Sequence, residues 1–364
     1  MTDLLLFIAG LAGLIVGAEL LVRGASGLAL TFGISPLVVG LTVVAFGTSS
    51  PEAAVAVGAV LDGNTDVAIG NMVGSNIFNV LFILGLSALI TPLVVDFQLI
   101  RQEVPIMIGA SLLVAALAHD DSLGLLDGAL LFALLLAYTG FLVVQSRAAG
   151  AAEARDEYAA GIRPAAASAW DARPAVQLAL VVAGLACLVF GSDWLVQASV
   201  SFARSLGVSD LVIGLTIVAA GTSMPEVATS VAAALKGERD IAVGNVVGSC
   251  TFNLLGGLGL AGLVAGSGGI PIPPSTLNFD LWIMIAAAAA CLPVFLTGRE
   301  IARWEGGLFL LCYVAYVVYL ILAASEHDAL QPYSAVMMGF VAPLTIVTLV
   351  VMVLRSPARG GSER

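Results

Sequence analysis

Eleven long apolar segments follow one another along this 364-residue chain, and they restrict its fold more than any other feature. Inside a lipid bilayer every backbone N–H and C=O group must be paired within the protein, so only helices and closed β-barrels span a membrane. Barrel strands alternate polar and apolar residues over about ten positions, whereas these segments stay apolar over about 20, the length of a membrane helix. We therefore predict an all-α integral membrane protein whose spans cover residues 4–22, 36–60, 67–90, 102–118, 124–146, 175–197, 209–235, 241–265, 279–297, 303–323 and 334–354.

The composition excludes several classes of protein. Hydrophobic residues make up 60% of the chain and charged residues 11%, whereas soluble domains carry about 45–50% and about 25% respectively. These proportions argue against a soluble enzyme or a disordered chain. A formal net charge of −11 argues against a nucleic-acid partner. The partner that the sequence predicts is the lipid bilayer; it predicts no cofactor and shows no sign of an obligate protein partner.

The positive charges predict the orientation of the spans, because loops rich in Lys and Arg stay on the cytoplasmic side. With eleven spans and the N-terminus outside, Arg204 alone of the 14 basic residues faces outward. The others face inward: Arg23, Arg101, Arg147, Arg155, Arg163, Arg173, Lys236, Arg239, Arg299, Arg303, Arg355, Arg359 and Arg364. We therefore expect a multi-pass protein of the cell (inner) membrane with a cytoplasmic C-terminus.

An internal repeat relates the two halves of the chain. Two windows of 47 residues begin at Gly40 and Gly214 and read GLTVVAFGTSSPEAAVAVGAVLDGNTDVAIGNMVGSNIFNVLFILGL and GLTIVAAGTSMPEVATSVAAALKGERDIAVGNVVGSCTFNLLGGLGL. They align without a gap at an offset of 174 and share 28 identical residues. Five predicted spans separate equivalent positions, and because five is odd, the second half is inverted. Inverted repeats are typical of secondary transporters, whose substrate site lies at the repeat interface near the bilayer midplane.

The repeat predicts a ten-helix bundle of two five-helix halves with one added helix. The central windows belong to spans 2–3 and 7–8, and the eleventh span has no counterpart. The predicted parts are a first repeat (1–146, window 40–86), a cytoplasmic linker (147–174), an inverted second repeat (175–323, window 214–260), and an extra helix with a cytoplasmic tail (324–364).

Each window carries one glutamate deep inside a predicted span, Glu52 and Glu226. A charged side chain at the bilayer centre costs several kcal/mol, so a pair related by the repeat indicates a shared functional site rather than a neutral pair that joins helices. A proline precedes each glutamate, at Pro51 and Pro225. Because proline lacks an N–H group and kinks a helix, we expect a kink at each. Carbonyl groups near Ala45–Thr48 and Ala219–Thr222 should then turn away from the helical ladder.

Hydroxyl and amide side chains accompany the two glutamates in the same register. Spacings of one and four residues place a threonine, a serine and the glutamate on roughly one helix face, and the next span carries a polar stripe at four-residue spacing. The first asparagine of each stripe fits a contact between helices among small residues, and the other side chains fit an ion site. The two sets are Thr48, Ser49, Asn71, Ser75 and Asn79, and Thr222, Ser223, Asn245, Ser249 and Asn253.

Every member of these sets offers oxygen, and no histidine or cysteine has a repeat-related partner among them. Ca²⁺ takes six to eight oxygens at about 2.3–2.6 Å in flexible geometry, whereas Mg²⁺ prefers a tighter octahedron. Zinc and copper favour His or Cys. Two carboxylates neutralise one Ca²⁺ or two monovalent ions, and an empty site would carry its bare charge across the membrane. That penalty favours exchange over uniport.

At these residues the sequence resembles the cation/calcium exchanger superfamily, whose signature is a pair of inverted repeats. The motif G-T-S-x-P-E stands at 47–52 and 221–226. The motif G-S-N-x-F-N/D stands at 74–79 and, with Cys250 in place of its asparagine, at 248–253. The resemblance implies a sodium/calcium exchanger of the prokaryotic, potassium-independent type. Such a protein is a transporter rather than an enzyme and works by alternating access, its first and sixth spans sliding across the bundle.

The resemblance also implies roles for individual residues. Calcium would be held by Glu52, Glu226 and the backbone carbonyls of Thr48 and Thr222. Sodium would use the same glutamates with Ser49, Ser75, Ser223, Ser249 and the carbonyls of Ala45 and Ala219. Asn79 and Asn253 would line the central position. Potassium-dependent members rely on an aspartate at the position of Asn253, so asparagine here predicts potassium independence.

Three other functions remain open at this point. The first is a H⁺/Ca²⁺ antiporter of the same superfamily, although such relatives usually carry a G-N-x-x-E type of motif. The second is an intramembrane enzyme with paired carboxylates, against which the chain shows neither a His-rich metal motif nor a nucleophile elbow. The third is a cation channel, which flux without counter-transport would identify.

Overall fold

The computed structural model describes residues 2–32, 34–148, 173–205, 219–345 and 347–348. Helices make up nearly all of this part of the chain, as the apolar segments predict. A short helix, Ala219–Gly221, precedes the eighth of the longer ones. We number these α1 (Thr2–Phe32), α2 (Pro36–Thr48), α3 (Ser50–Leu61), α4 (Thr65–Ile90), α5 (Leu99–Asp120), α6 (Leu125–Ala148), α7 (Pro174–Ser205), α8 (Met224–Lys236), α9 (Arg239–Gly268), α10 (Thr276–Leu296), α11 (Arg303–Ala324) and α12 (Leu330–Val336).

Within the described residues, eight helices are long and apolar enough to cross a membrane, and the bent pair α2–α3, taken together, is long and apolar enough to be a ninth span. These nine correspond to the predicted spans other than the seventh and eleventh. The seventh, 209–235, begins outside the described residues and continues as the short helix and α8. The eleventh, 334–354, also extends beyond them; α12 and a π-helical turn, Met337–Val341, lie at its start. The predicted linker, 147–174, falls almost entirely outside the described part.

Two predicted spans end too early. We expected the first span to end at residue 22 and the sixth at residue 197, but α1 continues to Phe32 and α7 to Ser205. The two helices run antiparallel and pack against each other along much of their length. Because tertiary packing stabilises a helix more than local propensity does, the additional turns form beyond the polar residues that suggested the ends.

Glycines bring the backbones of α1 and α7 into close contact. A Cβ atom on Gly17 would lie 2.8 Å from the backbone nitrogen of Leu188. One on Gly184 would lie 2.6 Å from the backbone nitrogen of Leu21. Any side chain at these positions would push the helices apart, which is why small residues occupy close helix contacts in membranes.

In the described residues, four two-residue strands, which the all-α prediction missed, join the two halves at opposite ends of the bundle. They are β1 (Leu93–Val94), β2 (Ser122–Leu123), β3 (Ile270–Pro271) and β4 (Glu300–Ile301). β1 pairs antiparallel with β4, and β2 pairs antiparallel with β3. Paired strands lie on the same side of the membrane, and the span α5 separates β1 from β2. The β1–β4 pair and the β2–β3 pair therefore lie on opposite sides of the membrane, and each joins a loop of the first half to a loop of the second. This arrangement is that of an inverted repeat.

The helices α4 and α9 are the most buried of the spans. They carry the two asparagine–serine stripes. A π-helical turn interrupts each at an equivalent place, Phe78–Leu84 in α4 and Asn253–Gly257 in α9. Such turns occur frequently at functional sites. The two helices that carry the polar stripes thus lie at the centre of the described bundle, and the other helices enclose them.

Candidate ion-binding site

The two proline-containing segments break at equivalent residues. Ser49 has φ −88° and ψ 1°, and Ser223 has φ −89° and ψ 8°, so both leave the helical region. The axes of α2 and α3 differ by 41° at this break, which confirms the kink predicted in the first half. Glu52 and Glu226 therefore stand in the first turns of α3 and α8. There the partial positive charge of a helix N-terminus favours a carboxylate.

The carbonyl groups before the prolines are only partly freed. The Ala45 carbonyl accepts the N–H of Ser49 at 3.0 Å, so the prediction that it leaves the helical ladder is wrong. In the second half, Pro225 offers no N–H to the Gly221 carbonyl. The hydroxyl of Ser192 on α7 donates to that carbonyl at 2.5 Å instead.

Each glutamate accepts a hydrogen bond from the serine of the opposite half. Ser49 Oγ donates to Glu226 Oε1 at 2.9 Å, and Ser223 Oγ donates to Glu52 Oε1 at 3.0 Å. All four side chains are at most 1% exposed. The two glutamates, which lie 174 positions apart in the sequence, thus share one enclosed site at the interface of the repeats.

The interior around the glutamates contains polar atoms that lack a hydrogen-bond partner among the described residues. They are Oε2 of Glu52 and of Glu226, Oγ of Ser249, Oδ1 of Asn253, and both polar atoms of Asn79. All of these side chains are at most 1% exposed. Protein interiors pair nearly all buried polar groups. Unpaired buried atoms, mostly oxygens, on the two carboxylates and on the helices that pack against the glutamate segments are therefore suited to binding cations.

Other predicted ligands lie beside this cluster. The hydroxyl of Ser223 lies 3.3 Å from that of Ser75. Ala219, whose carbonyl is a predicted sodium ligand, begins the short helix directly before the break at Ser223. In the described part of the chain, no group of three or more His, Cys, Asp or Glu side chains is placed to hold a metal. A cation here would therefore rely on two carboxylates with neutral oxygens, a set that suits Ca²⁺ or Na⁺ better than transition metals.

The first asparagine of each stripe ties helices together, as the pattern predicts. Thr48 Oγ1 donates to Asn245 Oδ1 at 3.2 Å, and Thr222 Oγ1 lies 3.4 Å from Asn71 Oδ1. Asn71 Nδ2 also donates to the backbone carbonyl of Glu52 at 3.2 Å. These contacts join the threonine of each half to the asparagine stripe of the other.

A second repeat-related pair of carboxylates lies outside the ion cluster, and the sequence analysis missed it. Tyr138 donates its hydroxyl to Glu103 Oε2 at 2.6 Å, and Tyr316 donates to Asp280 Oδ1 at 2.9 Å. The offsets are 177 (280 − 103) and 178 (316 − 138), not 174. The segments EVPIM and DLWIM, which begin at these acids, carry this shifted register. An alignment that allowed a short gap would have revealed the pair.

A charged contact joins α1 to α8. Glu19 Oε1 lies 2.7 Å from Lys236 Nζ. The repeat equivalent of Glu19 is Asp193, which accepts a hydrogen bond from Gln197 at 2.8 Å. The equivalent of Lys236 is Asp62 (236 − 174). The attractive pair at one end of the bundle therefore has two acids as its counterpart in the other half.

Comparisons with known proteins find similar chains over most of this length. The family described as sodium/calcium exchanger protein matches residues 2–144 and 176–322. The inner membrane protein YrbG of Escherichia coli (strain K12) is 38% identical over 282 residues, which cover 77% of this chain and 84% of YrbG. The sodium/calcium exchanger MaX1 of Methanosarcina acetivorans is 33% identical over 346 residues, covering 87% and 98%. A solved structure of the sodium–calcium exchanger NCX_Mj matches with a TM-score of 0.74 at 28% identity, covering 88% and 99%.

Proposed function

The chain belongs to the sodium/calcium exchanger family, and we propose that it is a secondary antiporter that exchanges Na⁺ for Ca²⁺ across the membrane. The observation that carries this proposal is the pair of buried glutamates, Glu52 and Glu226, each held by the serine of the opposite half. The exchanger names of MaX1 and NCX_Mj support sodium as the coupled ion.

Calcium would bind between the two glutamates. Their unpaired Oε2 atoms supply two negative charges, and the carbonyls of Thr48 and Thr222 supply neutral oxygens on either side. The two threonines belong to equivalent turns directly before the helix breaks. Two carboxylates balance the charge of one Ca²⁺, and the mixed oxygen set has the flexibility that Ca²⁺ tolerates.

Sodium would use the same carboxylates together with neighbouring neutral oxygens. These are the hydroxyls of Ser49, Ser75, Ser223 and Ser249 and the carbonyls of Ala45 and Ala219. Because the serines that hold Oε1 of each glutamate are also sodium ligands in this proposal, sodium binding would rearrange the hydrogen bonds that order the calcium site. Asn79 and Asn253 would line the position between the two halves.

Competition for one pair of carboxylates couples the two ions. After the site has released Ca²⁺, it must bind Na⁺ before its access can change to the other side of the membrane. Burying two carboxylates without a cation costs far more free energy than burying a neutralised site. This explains exchange without any communication between separate sites. Reciprocal binding at a single site is the simplest form of antiport.

The setting that we propose is the cell (inner) membrane, with the N-terminus outside and the C-terminus in the cytoplasm. The distribution of arginine and lysine supports this orientation, and the similarity to the inner membrane protein YrbG supports the location. The glycine-lined contact holds α1 and α7 closely together, so the two helices would slide across the bundle as one unit. Their movement would expose the site to each side in turn.

The test is uptake of radioactive Ca²⁺ into proteoliposomes that contain the purified protein. Vesicles loaded with Na⁺ should take up Ca²⁺, and vesicles loaded with choline should not. A pH gradient imposed without sodium separates the sodium-coupled from the proton-coupled antiporter. Uptake that follows this gradient and ignores Na⁺ would overturn the sodium proposal, and uptake without any counter-ion would indicate a channel.

A further inference from the structure

Three buried side chains form a line of hydrogen bonds that ends at Asn253, a residue of the proposed ion site. Asn76 Nδ2 on α4 donates to the sulfur of Met284 on α10 at 3.6 Å. Asn253 Nδ2 on α9 donates to Asn76 Oδ1 at 3.3 Å. All three side chains are at most 3% exposed. No water-facing alternative competes with these contacts, so their donor and acceptor directions depend on one another.

The sulfur of Met284 determines the direction of the whole line. A thioether is a weak acceptor and cannot donate a hydrogen bond, so the contact with Met284 favours the orientation in which Asn76 turns its NH₂ group toward the sulfur. The Asn76 oxygen then faces Asn253, which donates a hydrogen bond to it from its own NH₂ group. The Oδ1 atom of Asn253 is consequently directed away from Asn76, and it has no hydrogen-bond partner among the described residues.

The other half of the repeat lacks this arrangement. Cys250 stands at the position equivalent to Asn76, and its thiol donates to the Asn76 backbone carbonyl at 3.8 Å. Met107 is the counterpart of Met284, at the offset of 177 that also relates EVPIM to DLWIM. A thiol is only a weak donor and acceptor. Asn79, the counterpart of Asn253, lies beside this thiol and has no stronger hydrogen-bond partner in the described part of the chain.

We propose that Met284 and Asn76 are positioning residues that orient the Asn253 amide so that its oxygen is offered to the bound ion. Asn79 has only the weakly bonding Cys250 thiol at the equivalent place, so its amide is held less firmly in one orientation. The proposal rests on the proposed function, because it assumes that the bound ion is a cation. The proposal explains how Asn79 and Asn253, at equivalent positions, can offer different atoms to the ion. It also gives a role to the difference between Asn76 and Cys250 in the two motifs.

The test compares Met284→Leu with Met107→Leu, its matched control in the other half. Leucine has a similar volume to methionine but cannot accept a hydrogen bond. In Met284→Leu, Asn76 can reverse and the Asn253 oxygen is no longer held toward the ion. The half-saturating Ca²⁺ concentration should rise about 2- to 10-fold, the range expected for losing one hydrogen bond's net contribution, while the maximal rate of uptake changes less than about 2-fold. Met107→Leu should leave both quantities unchanged.

A second variant, Asn76→Cys, gives this half the residue of the other. It should raise the half-saturating Ca²⁺ concentration as Met284→Leu does, and combining the two substitutions should add nothing further, because both break the same line. Ca²⁺-dependent thermal stabilisation of the purified protein in detergent should show the same ranking without transport.

The outcomes separate this inference from the proposed function. If the wild-type protein exchanges Na⁺ for Ca²⁺ but Met284→Leu keeps the wild-type Ca²⁺ dependence, the positioning role is wrong and the exchanger proposal stands. If Met107→Leu shifts the Ca²⁺ dependence as much as Met284→Leu, general packing explains the effect and the positioning role is again wrong. A wild-type protein that neither takes up Ca²⁺ nor is stabilised by it would overturn both.

Discussion

Ser49 in the first half donates its hydroxyl to Oε1 of Glu226 in the second, across 2.9 Å of buried interior. The reciprocal bond runs from Ser223 to Glu52 at 3.0 Å. Each carboxylate is thus anchored by the opposite half through one oxygen and keeps the other oxygen unpaired in the described structure. Any relative movement of the two halves therefore acts directly on both carboxylates.

Neutralising either glutamate should stop exchange. Glu52→Gln and Glu226→Gln keep the volume of the side chain but leave a bound Ca²⁺ with one compensating charge. Removing one partner of a buried charge pair costs about 3–5 kcal/mol, so we expect at least roughly a hundredfold loss of Na⁺-dependent Ca²⁺ uptake. Initial uptake rates in proteoliposomes with equal protein content measure this. Glu300→Gln, at an exposed position in β4, should behave as wild type; full flux in either buried variant would refute the shared site.

Removing the serine hydroxyls should weaken sodium binding equally in the two halves. Ser49→Ala and Ser223→Ala each delete one proposed sodium ligand and one bond to a glutamate. We expect the half-saturating Na⁺ concentration to rise about 2- to 10-fold in both, the scale of one lost hydrogen bond. Na⁺-dependent Ca²⁺ uptake at graded Na⁺ concentrations reports this. The control is Ser50→Ala, because Ser50 donates to the Phe46 carbonyl at 2.6 Å outside the site. An effect in one half alone would contradict the equivalence of the cross-bonds.

Exchange should not require potassium. Asn253 is fully buried and carries no charge, so the site has two carboxylates and no third negative group for an additional cation. Ca²⁺ uptake into Na⁺-loaded vesicles should be equal in K⁺ and in choline media. Asn253→Asp adds a negative charge and should make uptake respond to K⁺. A clear K⁺ requirement in the wild-type protein would show that the neutral amide does not decide this property.

The ion pair between Glu19 and Lys236 should influence transport modestly. Their side chains are 55% and 30% exposed, and exposed pairs of this kind contribute about 0.2–1 kcal/mol. Lys236→Glu should therefore change the rate of exchange by roughly 1.5- to 5-fold, and the charge-reversed double variant Glu19→Lys/Lys236→Glu should restore it. The difference should shrink in high salt, which screens exposed charges. Failure of the double variant to restore the rate would show that Lys236 acts without Glu19.

Tyr138→Phe should destabilise the first half more than Tyr316→Phe destabilises the second. Tyr138 supplies the hydrogen bond to Oε2 of the fully buried Glu103, and a buried acceptor left without a donor costs about 1–3 kcal/mol. Asp280, the partner of Tyr316, is only half-buried, so water can replace the lost hydroxyl. Thermal unfolding of the two variants in detergent compares the losses. Equal losses of stability in the two variants would show that burial of the carboxylate does not determine the cost of removing its hydrogen-bond donor.

Local features of the sequence determined the helical architecture. The apolar runs predict the spans because length and hydrophobicity are properties of each segment alone, and the nine spans found in the described residues agree with them. The repeat predicts the inversion because an odd number of spans separates its copies. The kink at Pro51 follows from the missing N–H of one residue. The prolines and glutamates of the site were identifiable from the sequence because they stand at equivalent positions of the two repeats.

Tertiary structure alone decided how these groups meet. The sequence places Ser49 on the same helix face as Glu52, yet its hydroxyl bonds to Glu226. Nor does any local pattern predict that Ser192 pairs with the Gly221 carbonyl or that Asn76 contacts Met284. Each of these contacts depends on the rotation and depth of one helix relative to another, which the packing of the whole bundle sets. A segment's own residues specify that it forms a helix and which side chains it carries, but its neighbours determine which of those side chains complete the site.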